Sequence, residues 1–178
     1  ENFSDLLGVE PSRPFIDLPD IDLSRLSVYD TDNMIAVQVR TANISKEWRI
    51  TKVQELVNRL RVEGYNVLAV DSFFRLQNCY NTVGLSLVEI GYLLKKVSRV
   101  IAFDSGILHF SLALGIPTIC LFGPTNGELT LKYYNNWELI QILNTKSCFR
   151  PCYYSSFNGY YCQGRTGDCM DDITIDMV

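Results

Sequence analysis

The sequence is poor in histidine and has no long apolar run. His109 is the single histidine among the 178 residues, so a Ser-His-Asp or Cys-His catalytic set would depend on this one side chain. No stretch approaches the roughly 20 apolar residues that a membrane-spanning helix requires, and the polar, acidic start does not resemble a signal peptide. We therefore expect no transmembrane segment. Because the first residue is Glu1 rather than methionine, we also expect an excised part of a longer protein.

Basic clusters and glycine-rich nucleotide motifs are lacking as well. The chain has 16 Lys and Arg against 20 Asp and Glu, which gives a net charge of -4 and a pI near 5.0. Surfaces that bind nucleic acid carry clustered Lys and Arg instead. There is no Walker loop, and no GxGxxG follows a predicted strand. We expect no nucleic-acid partner. An anionic ligand would have to be bound by a few local groups, such as backbone amides at a helix start or a single lysine, rather than by a basic surface.

Strand-like apolar segments alternate with amphipathic helical segments from residue 34 onward. The predicted strands are Met34–Arg40, Asn66–Val70, Arg99–Phe103, Thr118–Phe122 and Glu138–Leu143. The segment 73–82 has room for one short strand at most. The alternation predicts an α/β fold with a Rossmann-like, doubly wound parallel sheet over residues 34–178. Residues 1–33, which contain three prolines and many carboxylates, are predicted as a lead-in or linker segment.

Two helices are marked by apolar residues at helical spacing and by their end signals. The first is predicted from about Thr51 to Glu63, with Gly64 as its stop. The second is predicted from the cap at Ser86 to about Val97.

The third and fourth long strands end in turns suited to a ligand. The turns are Asp104-Ser105-Gly106, which leads into a helix, and Gly123-Pro124-Thr125. Ligands of open α/β sheets bind outside the carboxyl ends of the strands, and a helix start offers backbone amides and a positive dipole end to a phosphate. The glycines would let a ligand approach the backbone, and Ser105 would add a hydroxyl donor. The alternative is that both turns are plain connectors.

Three further side chains have both a binding and a structural interpretation. Lys46, after the first strand, is either a point charge for a phosphate or a solvated surface lysine. Glu89 has the character of a ribose-binding carboxylate, but it also completes an S-x-x-E capping box with Ser86. His109, one turn into the helix after Ser105, is either a ligand contact or a structural residue.

Four of the six cysteines lie near the C-terminal end, in the order Cys148-x3-Cys152-x9-Cys162-x6-Cys169. Four thiolates can form a tetrahedral site for Zn or Fe, although the paired C-x2-C spacing of zinc ribbons is absent. The alternatives are unpaired thiols or bridges formed on oxidation. Residues 146–170 are thus predicted as a Cys-rich segment of the domain, and Cys79 and Cys120 as isolated buried thiols.

Several motifs occur together in a characteristic order. In chain order they are Lys46-Glu-Trp48, Ser86-Leu-Val-Glu89, Asp104-Ser-Gly-Ile-Leu-His109, Ala113-Leu-Gly-Ile-Pro117, Leu121-Phe-Gly-Pro-Thr125, Cys148 to Cys152, Cys162 and Cys169-Met170. The combination resembles the ADP-heptose:lipopolysaccharide heptosyltransferase family over roughly residues 34–178. This resemblance implies one half of a GT-B glycosyltransferase, namely the Rossmann-like domain that holds the nucleotide-sugar donor.

The resemblance also implies a donor site. The diphosphate would lie on the Asp104 turn and the first turn of the following helix, with Lys46 on a phosphate, Glu89 facing the nucleoside and Thr125 beside the donor. The donor-binding residues expected in this way are Lys46, Glu89, Asp104, Ser105, Gly106, His109, Gly123 and Thr125. A structural Zn or Fe at Cys148, Cys152, Cys162 and Cys169 is the expected metal, and transfer itself would require no cofactor.

The reaction implied is an inverting transfer of a heptose from ADP-heptose to a lipopolysaccharide-core or other saccharide acceptor. It would take place in the cytoplasm, or with the protein held peripherally at the inner membrane face. In this family the catalytic base is an aspartate of the other domain, so no catalytic residue is expected in this chain, which alone would be inactive. The alternatives are a non-catalytic nucleotide- or partner-binding module of the same fold and a GT-B-like sugar-nucleotide epimerase.

Overall fold

The fold is taken from a computed structural model, which describes residue 8, residues 12–142, the backbone of 144–145 and 148–149, and residues 169–178. Parallel strands form a six-stranded sheet in the order β3-β2-β1-β4-β5-β6. They are β1 Met34–Gln38, β2 Asn66–Val70, β3 Tyr80–Asn81, β4 Arg99–Phe103, β5 Thr118–Phe122 and β6 Trp137–Gln141. This is the strand order of dinucleotide-binding doubly wound sheets. The prediction of a Rossmann-like α/β fold is confirmed.

Helices connect the strands, and short elements lie outside the sheet. The helices are α1 Ile50–Val62, α2 Leu87–Leu94, α3 Gly106–Ala113 and α4 Gly127–Leu131. Single 3-10 turns occur at Ser24–Leu26, Ile44–Lys46 and Ile175–Met177, and β7 Asn144–Thr145 pairs antiparallel with β8 Cys148–Phe149. Among the described residues, no helix has the length and apolar character needed to cross a bilayer.

Alternate residues of the strands face two apolar layers. Ala36 of β1 belongs to the layer covered by α2 and α3, where Leu93 is fully buried. Its neighbour Val37 belongs to the opposite layer, together with Val57 of α1 and Met170 of the C-terminal segment. Both faces of the central strands are therefore covered, which is why the strands read as continuous apolar runs.

Residues 12–33 lie across the layer of α2 and α3 rather than pairing with the sheet. The amide of Ile16 donates to the carbonyl of Ala113 at 3.1 Å, and the hydroxyl of Tyr92 donates to the carbonyl of Pro19 at 3.2 Å. Leu26 is 4% exposed and completes the core beneath. These contacts attach the lead-in to the helix layer of the domain.

Several element boundaries differ from the predictions. β1 ends at Gln38 rather than Arg40 because the backbone leaves the ladder after Val39, whose amide still donates to the Val70 carbonyl at 3.1 Å. α2 ends at Leu94 rather than near Val97 because the next turn tightens to 3-10 geometry, with the Lys96 amide on the Leu93 carbonyl.

The connection after β5 contains a helix that the sequence did not indicate. α4 has five residues, too few for an apolar period to be recognised, and is started by the Asn126 side chain, which accepts from the Leu129 amide at 3.0 Å. Two other predictions for loops are confirmed: α1 stops at Gly64, which has φ +92°, and the segment 73–82 holds the two-residue strand β3.

Candidate ligand-binding site

A groove opens at the carboxyl ends of β1, β2 and β4, where the strand order reverses direction. Ligands of doubly wound sheets bind at this switch point. The groove has a volume of about 740 Å³, within the range of roughly 300–1,000 Å³ typical of small-molecule sites. Its lining includes the apolar side chains of Leu85, Leu87, Ile90, Ile107 and Phe110. Arg40, Asp71 and Ser105 add polar groups to one edge of this apolar surface.

Two serines precede helices at this side of the fold and use their hydroxyls differently. The Ser86 hydroxyl accepts from the Glu89 amide at 3.2 Å, and the Glu89 carboxylate accepts from the Ser86 amide at 2.7 Å, so a capping box satisfies two amides at the start of α2. Ser105 makes no capping hydrogen bond to α3. The first amides of α3 therefore keep their capacity to bind an anion. A Cβ placed on Gly106 would meet no atom of the described residues within 4 Å, so this part of the structure leaves the space over the helix start open.

Asp104 joins the loop after β1 to the turn after β5. Its Oδ2 accepts from Lys46 Nζ at 2.6 Å and from Thr125 Oγ1 at 2.6 Å. The side chains of Lys46 and Asp104 are 20% and 11% exposed, and charge-assisted bonds of this length are stronger than neutral ones. The fold thus brings together three of the residues singled out in the sequence and holds the lysine ammonium on the carboxylate two residues before α3. These three residues, like Glu89, are not among those that line the groove.

Gln38, at the end of β1, was not predicted as a site residue. It is 3% exposed. Its Oε1 accepts from the Phe103 amide at 3.1 Å and from the Ser105 hydroxyl at 2.9 Å, and its Nε2 donates to the Arg40 carbonyl at 2.8 Å. A polar residue inside an otherwise apolar strand was the signal that could have identified it, because a buried amide needs partners.

The edge of the groove beyond β2 also contains polar and aromatic residues that were not predicted as site residues. The guanidinium of Arg40 lies 4.5 Å from the centre of the Phe74 ring. Asp71 Oδ1 accepts from the amides of Phe73 and Phe74 at 2.7 and 2.8 Å. An acidic residue directly after the second strand of a doubly wound fold commonly binds ribose, so the position of Asp71 after β2 was the available signal.

Comparison with known proteins identifies the family. Residues 13–156 match the profile of glycosyltransferase family 9, described as heptosyltransferase. The chain belongs to glycosyltransferase family 9. Lipopolysaccharide heptosyltransferase 1 of Pseudomonas aeruginosa PAO1 is 30% identical over 104 residues, which cover 52% of this chain and 29% of that protein.

Solved structures share the family 9 fold. A glycosyltransferase family 9 protein from Veillonella parvula superimposes with a TM-score of 0.71 at 17% identity, over 97% of this chain and 54% of that one. The dodecameric iron-containing heptosyltransferase TibC of enterotoxigenic Escherichia coli, in complex with ADP-D-β-D-heptose, gives a TM-score of 0.70 at 20% identity, over 96% and 48%. The family 9 chain spans about half the length of these structures and 29% of the curated relative.

Glu89, His109 and Gly123 are each engaged by the protein itself. The Glu89 carboxylate lies 3.1 Å from the Arg25 guanidinium and is not among the residues that line the groove. The pKa of Glu89 is held below its ordinary value. The main cause is the hydrogen bond from the Ser86 amide, followed by that of the Ser86 hydroxyl and by the charge of Arg25.

His109 Nδ1 lies 3.3 Å from the Tyr134 hydroxyl. A Cβ on Gly123 would come within 2.6 Å of the Met170 sulfur, so this glycine makes room for Met170. The assignment of these residues to a donor stays a prediction.

The predicted cysteine cluster falls mostly outside the described residues. Cys152 and Cys162 lie there, and only the backbone of Cys148 is described. Cys169 is 7% exposed, and its sulfur lies 3.5 Å from a Cβ placed on Gly123. Within the described residues, no three His, Cys, Asp or Glu side chains are arranged to hold a metal ion.

Proposed function

We propose that this chain is the donor-binding half of a family 9 glycosyltransferase and takes a nucleotide-diphosphate sugar, with ADP-heptose as the donor. The observation that carries the proposal is the uncapped start of α3, open over Gly106 and two residues after the carboxylate that holds the Lys46 ammonium. Backbone amides at a helix start and a lysine together suit a diphosphate. The ADP-heptose complex of TibC, which shares the fold, supports the choice of donor.

The nucleoside would lie in the groove beside this helix start. Leu87, Ile90 and Phe110 offer apolar surface to a base. Both carboxylates accept hydrogen bonds from backbone amides, but Asp71 lines the groove and Glu89 does not, so Asp71 is assigned to the ribose hydroxyls. The apolar surface and one carboxylate at its edge match the two halves of a nucleoside.

Transfer of the sugar leaves a nucleoside diphosphate on which negative charge develops. Donors that are already oriented towards that charge lower the barrier, and here these are the α3 amides and Lys46, which Asp104 holds in place. The base that activates the acceptor hydroxyl and the site for a lipopolysaccharide-core or other saccharide acceptor are assigned to a further part of the enzyme. The reaction would take place in the cytoplasm or at the inner membrane face.

A structural metal at Cys148, Cys152, Cys162 and Cys169 is proposed in addition. The iron-containing TibC shares the fold and supports iron as the ion. Cys169 lies beside Gly123 at the edge of the candidate site, so a metal bound there would stabilise the segment next to the donor.

Calorimetric titration with ADP, UDP and GDP tests the donor site. We expect ADP to bind the wild-type chain without sugar transfer, and Lys46→Ala to weaken binding about 10-fold or more, because hydrogen bonds to charged groups contribute about 1.5–3 kcal/mol. Gly106→Trp fills the open space and should abolish binding. Lys96→Ala, an exposed lysine before the amino end of β4, is the matched control and should bind as the wild type does. Unchanged binding in both site variants would contradict the proposal.

A further inference from the structure

The orientation of the Gln38 amide is fixed by two backbone groups. The Phe103 amide can only donate, and it lies 3.1 Å from Oε1; the Arg40 carbonyl can only accept, and it lies 2.8 Å from Nε2. Exchanging the oxygen and nitrogen of the side chain would oppose both partners. The atom of Gln38 that lies 2.9 Å from the Ser105 hydroxyl is therefore the oxygen.

This orientation determines the direction of the bond between Ser105 and Gln38. An amide oxygen has no proton to donate, so the single hydroxyl proton of Ser105 is given to Gln38. Gln38 is 3% exposed, so water does not readily replace this bond. Ser105 lines the groove and makes no capping bond to α3. Ser105 Oγ therefore offers a ligand only its lone pairs and acts as a hydrogen-bond acceptor.

We propose that Ser105 is a specificity-determining residue that accepts a hydrogen bond from a hydroxyl group of the sugar nucleotide, and that Gln38 positions it for this role. Phosphate oxygens at neutral pH are acceptors, so they do not complement Ser105 in this state. The diphosphate is then held by the α3 amides and Lys46 without the Ser105 proton. This inference rests on the proposed donor site and replaces the expectation that Ser105 donates to a phosphate.

Titration with paired ligands tests the role of Ser105. The hydroxyl belongs either to the ribose or to the transferred sugar. ADP is compared with 2′-deoxy-ADP and 3′-deoxy-ADP for the ribose, and ADP-heptose is compared with analogues that each lack one sugar hydroxyl for the transferred sugar. In the wild type, one hydroxyl-bearing ligand should bind about 2- to 10-fold more tightly than its partner, as one neutral hydrogen bond allows. In Ser105→Ala that ratio should fall to about 1, with the affinity for inorganic pyrophosphate changed less than about 2-fold. The proposal is overturned if Ser105→Ala weakens the binding of pyrophosphate as much as that of ADP. It is also overturned if the variant changes none of the affinity ratios between paired ligands.

Gln38 is tested by variants that separate orientation from packing. Gln38→Leu removes the acceptor and releases the Ser105 proton, so the preference for the hydroxyl-bearing ligand should fall while pyrophosphate binds at least as tightly as before. A purely structural loss would weaken both ligands together and would overturn the positioning role. Gln38→Glu keeps oxygens for Phe103 and Ser105, so it should preserve the preference even if the loss of the donor to Arg40 lowers stability.

The direction of the hydroxyl is also measurable without a ligand. Neutron diffraction on crystals exchanged into heavy water should place the deuterium of Ser105 on the line to Gln38 Oε1, and a deuterium directed into the groove would overturn the inference even if Gln38→Leu fails to fold. If neither ADP nor pyrophosphate binds the wild-type chain, the donor proposal fails, and this measurement still decides the state of Ser105.

Discussion

The indole Nε1 of Trp48 donates to the backbone carbonyl of Met170 at 2.7 Å, joining residues 122 positions apart in the chain. The two side chains are 2% and 1% exposed. Trp48 lies two residues after Lys46, and the sulfur of Met170 lies against Gly123, two residues before Thr125. The segment 169–178 therefore contacts the chain two residues away from each of the two residues that donate to Asp104 at the candidate site.

Removing the indole donor should destabilise the fold. We expect Trp48→Phe to lower the free energy of unfolding in urea by about 1–3 kcal/mol, the cost of weakening the hydrogen bonding of a buried carbonyl. Lys52 Nζ, 3.3 Å from the same carbonyl, keeps the loss from being larger. Trp137→Phe is the control, because its indole donates to the Tyr134 carbonyl at a half-buried position where water can replace it. Equal losses in the two variants would contradict this account.

Two glycines of the site differ in what a side chain would meet. Gly123→Ala places a Cβ 2.6 Å from the Met170 sulfur and should lower stability by about 1–3 kcal/mol, as overpacking of a core does. Gly106→Ala enters open space and should leave the free energy of unfolding unchanged or slightly raised. Urea unfolding of both variants checks the difference. A stable Gly123→Ala protein would mean that Met170 moves aside at little cost.

The sequence was sufficient for the sheet because its central strands are buried on both faces and so read as continuous apolar runs. The capping box of Ser86 and Glu89 was equally local and is present. Gln38 was missed because its role depends on Phe103 and Ser105, more than 60 residues away. The Ser105 hydroxyl could either cap a helix or donate to a buried amide. Tertiary contacts determine which partner it takes, and these contacts cannot be derived from the residue type alone.

Cys120 is buried as predicted, whereas Cys79 is only half-buried, because it lies in the loop that leads into β3. Loss of solvent should still make both thiols slow to react. It raises the pKa of Cys79 to about 11 and that of Cys120 to about 12, and only the thiolate is nucleophilic. The thiols can be alkylated with iodoacetamide at pH 8 and the modification of each peptide followed by mass spectrometry. Both cysteines should react slowly, and Cys120 should react more slowly than Cys79. Both should react at full rate in urea. Labelling of Cys120 in the native protein at its unfolded rate would contradict the burial seen here.

The proposed metal predicts a stoichiometry. Protein purified under reducing conditions and without a chelating column should contain about one iron or zinc per chain, as four thiolate ligands would hold. Cys152→Ser should lose the ion, whereas Cys79→Ser, which changes a cysteine outside the cluster, should keep it. Elemental analysis that finds less than one metal per several chains would argue against the site.

The lowered pKa of Glu89 predicts how its contribution to stability depends on pH. The folded state favours the ionised carboxylate, mainly through the Ser86 hydrogen bonds and then through Arg25. The stabilisation is therefore fully present above the pKa of the unfolded chain, near 4.5, and is lost as the pH falls through the lower pKa of the folded state. The difference in unfolding free energy between wild type and Glu89→Gln should therefore be largest near pH 7 and shrink towards pH 3. Arg25→Ala, which removes only the exposed partner of the pair, should cost less than Glu89→Gln at pH 7, because the Ser86 amide keeps a charged acceptor. A pH-independent difference for Glu89→Gln would mean that the carboxylate contributes through packing rather than through its charge.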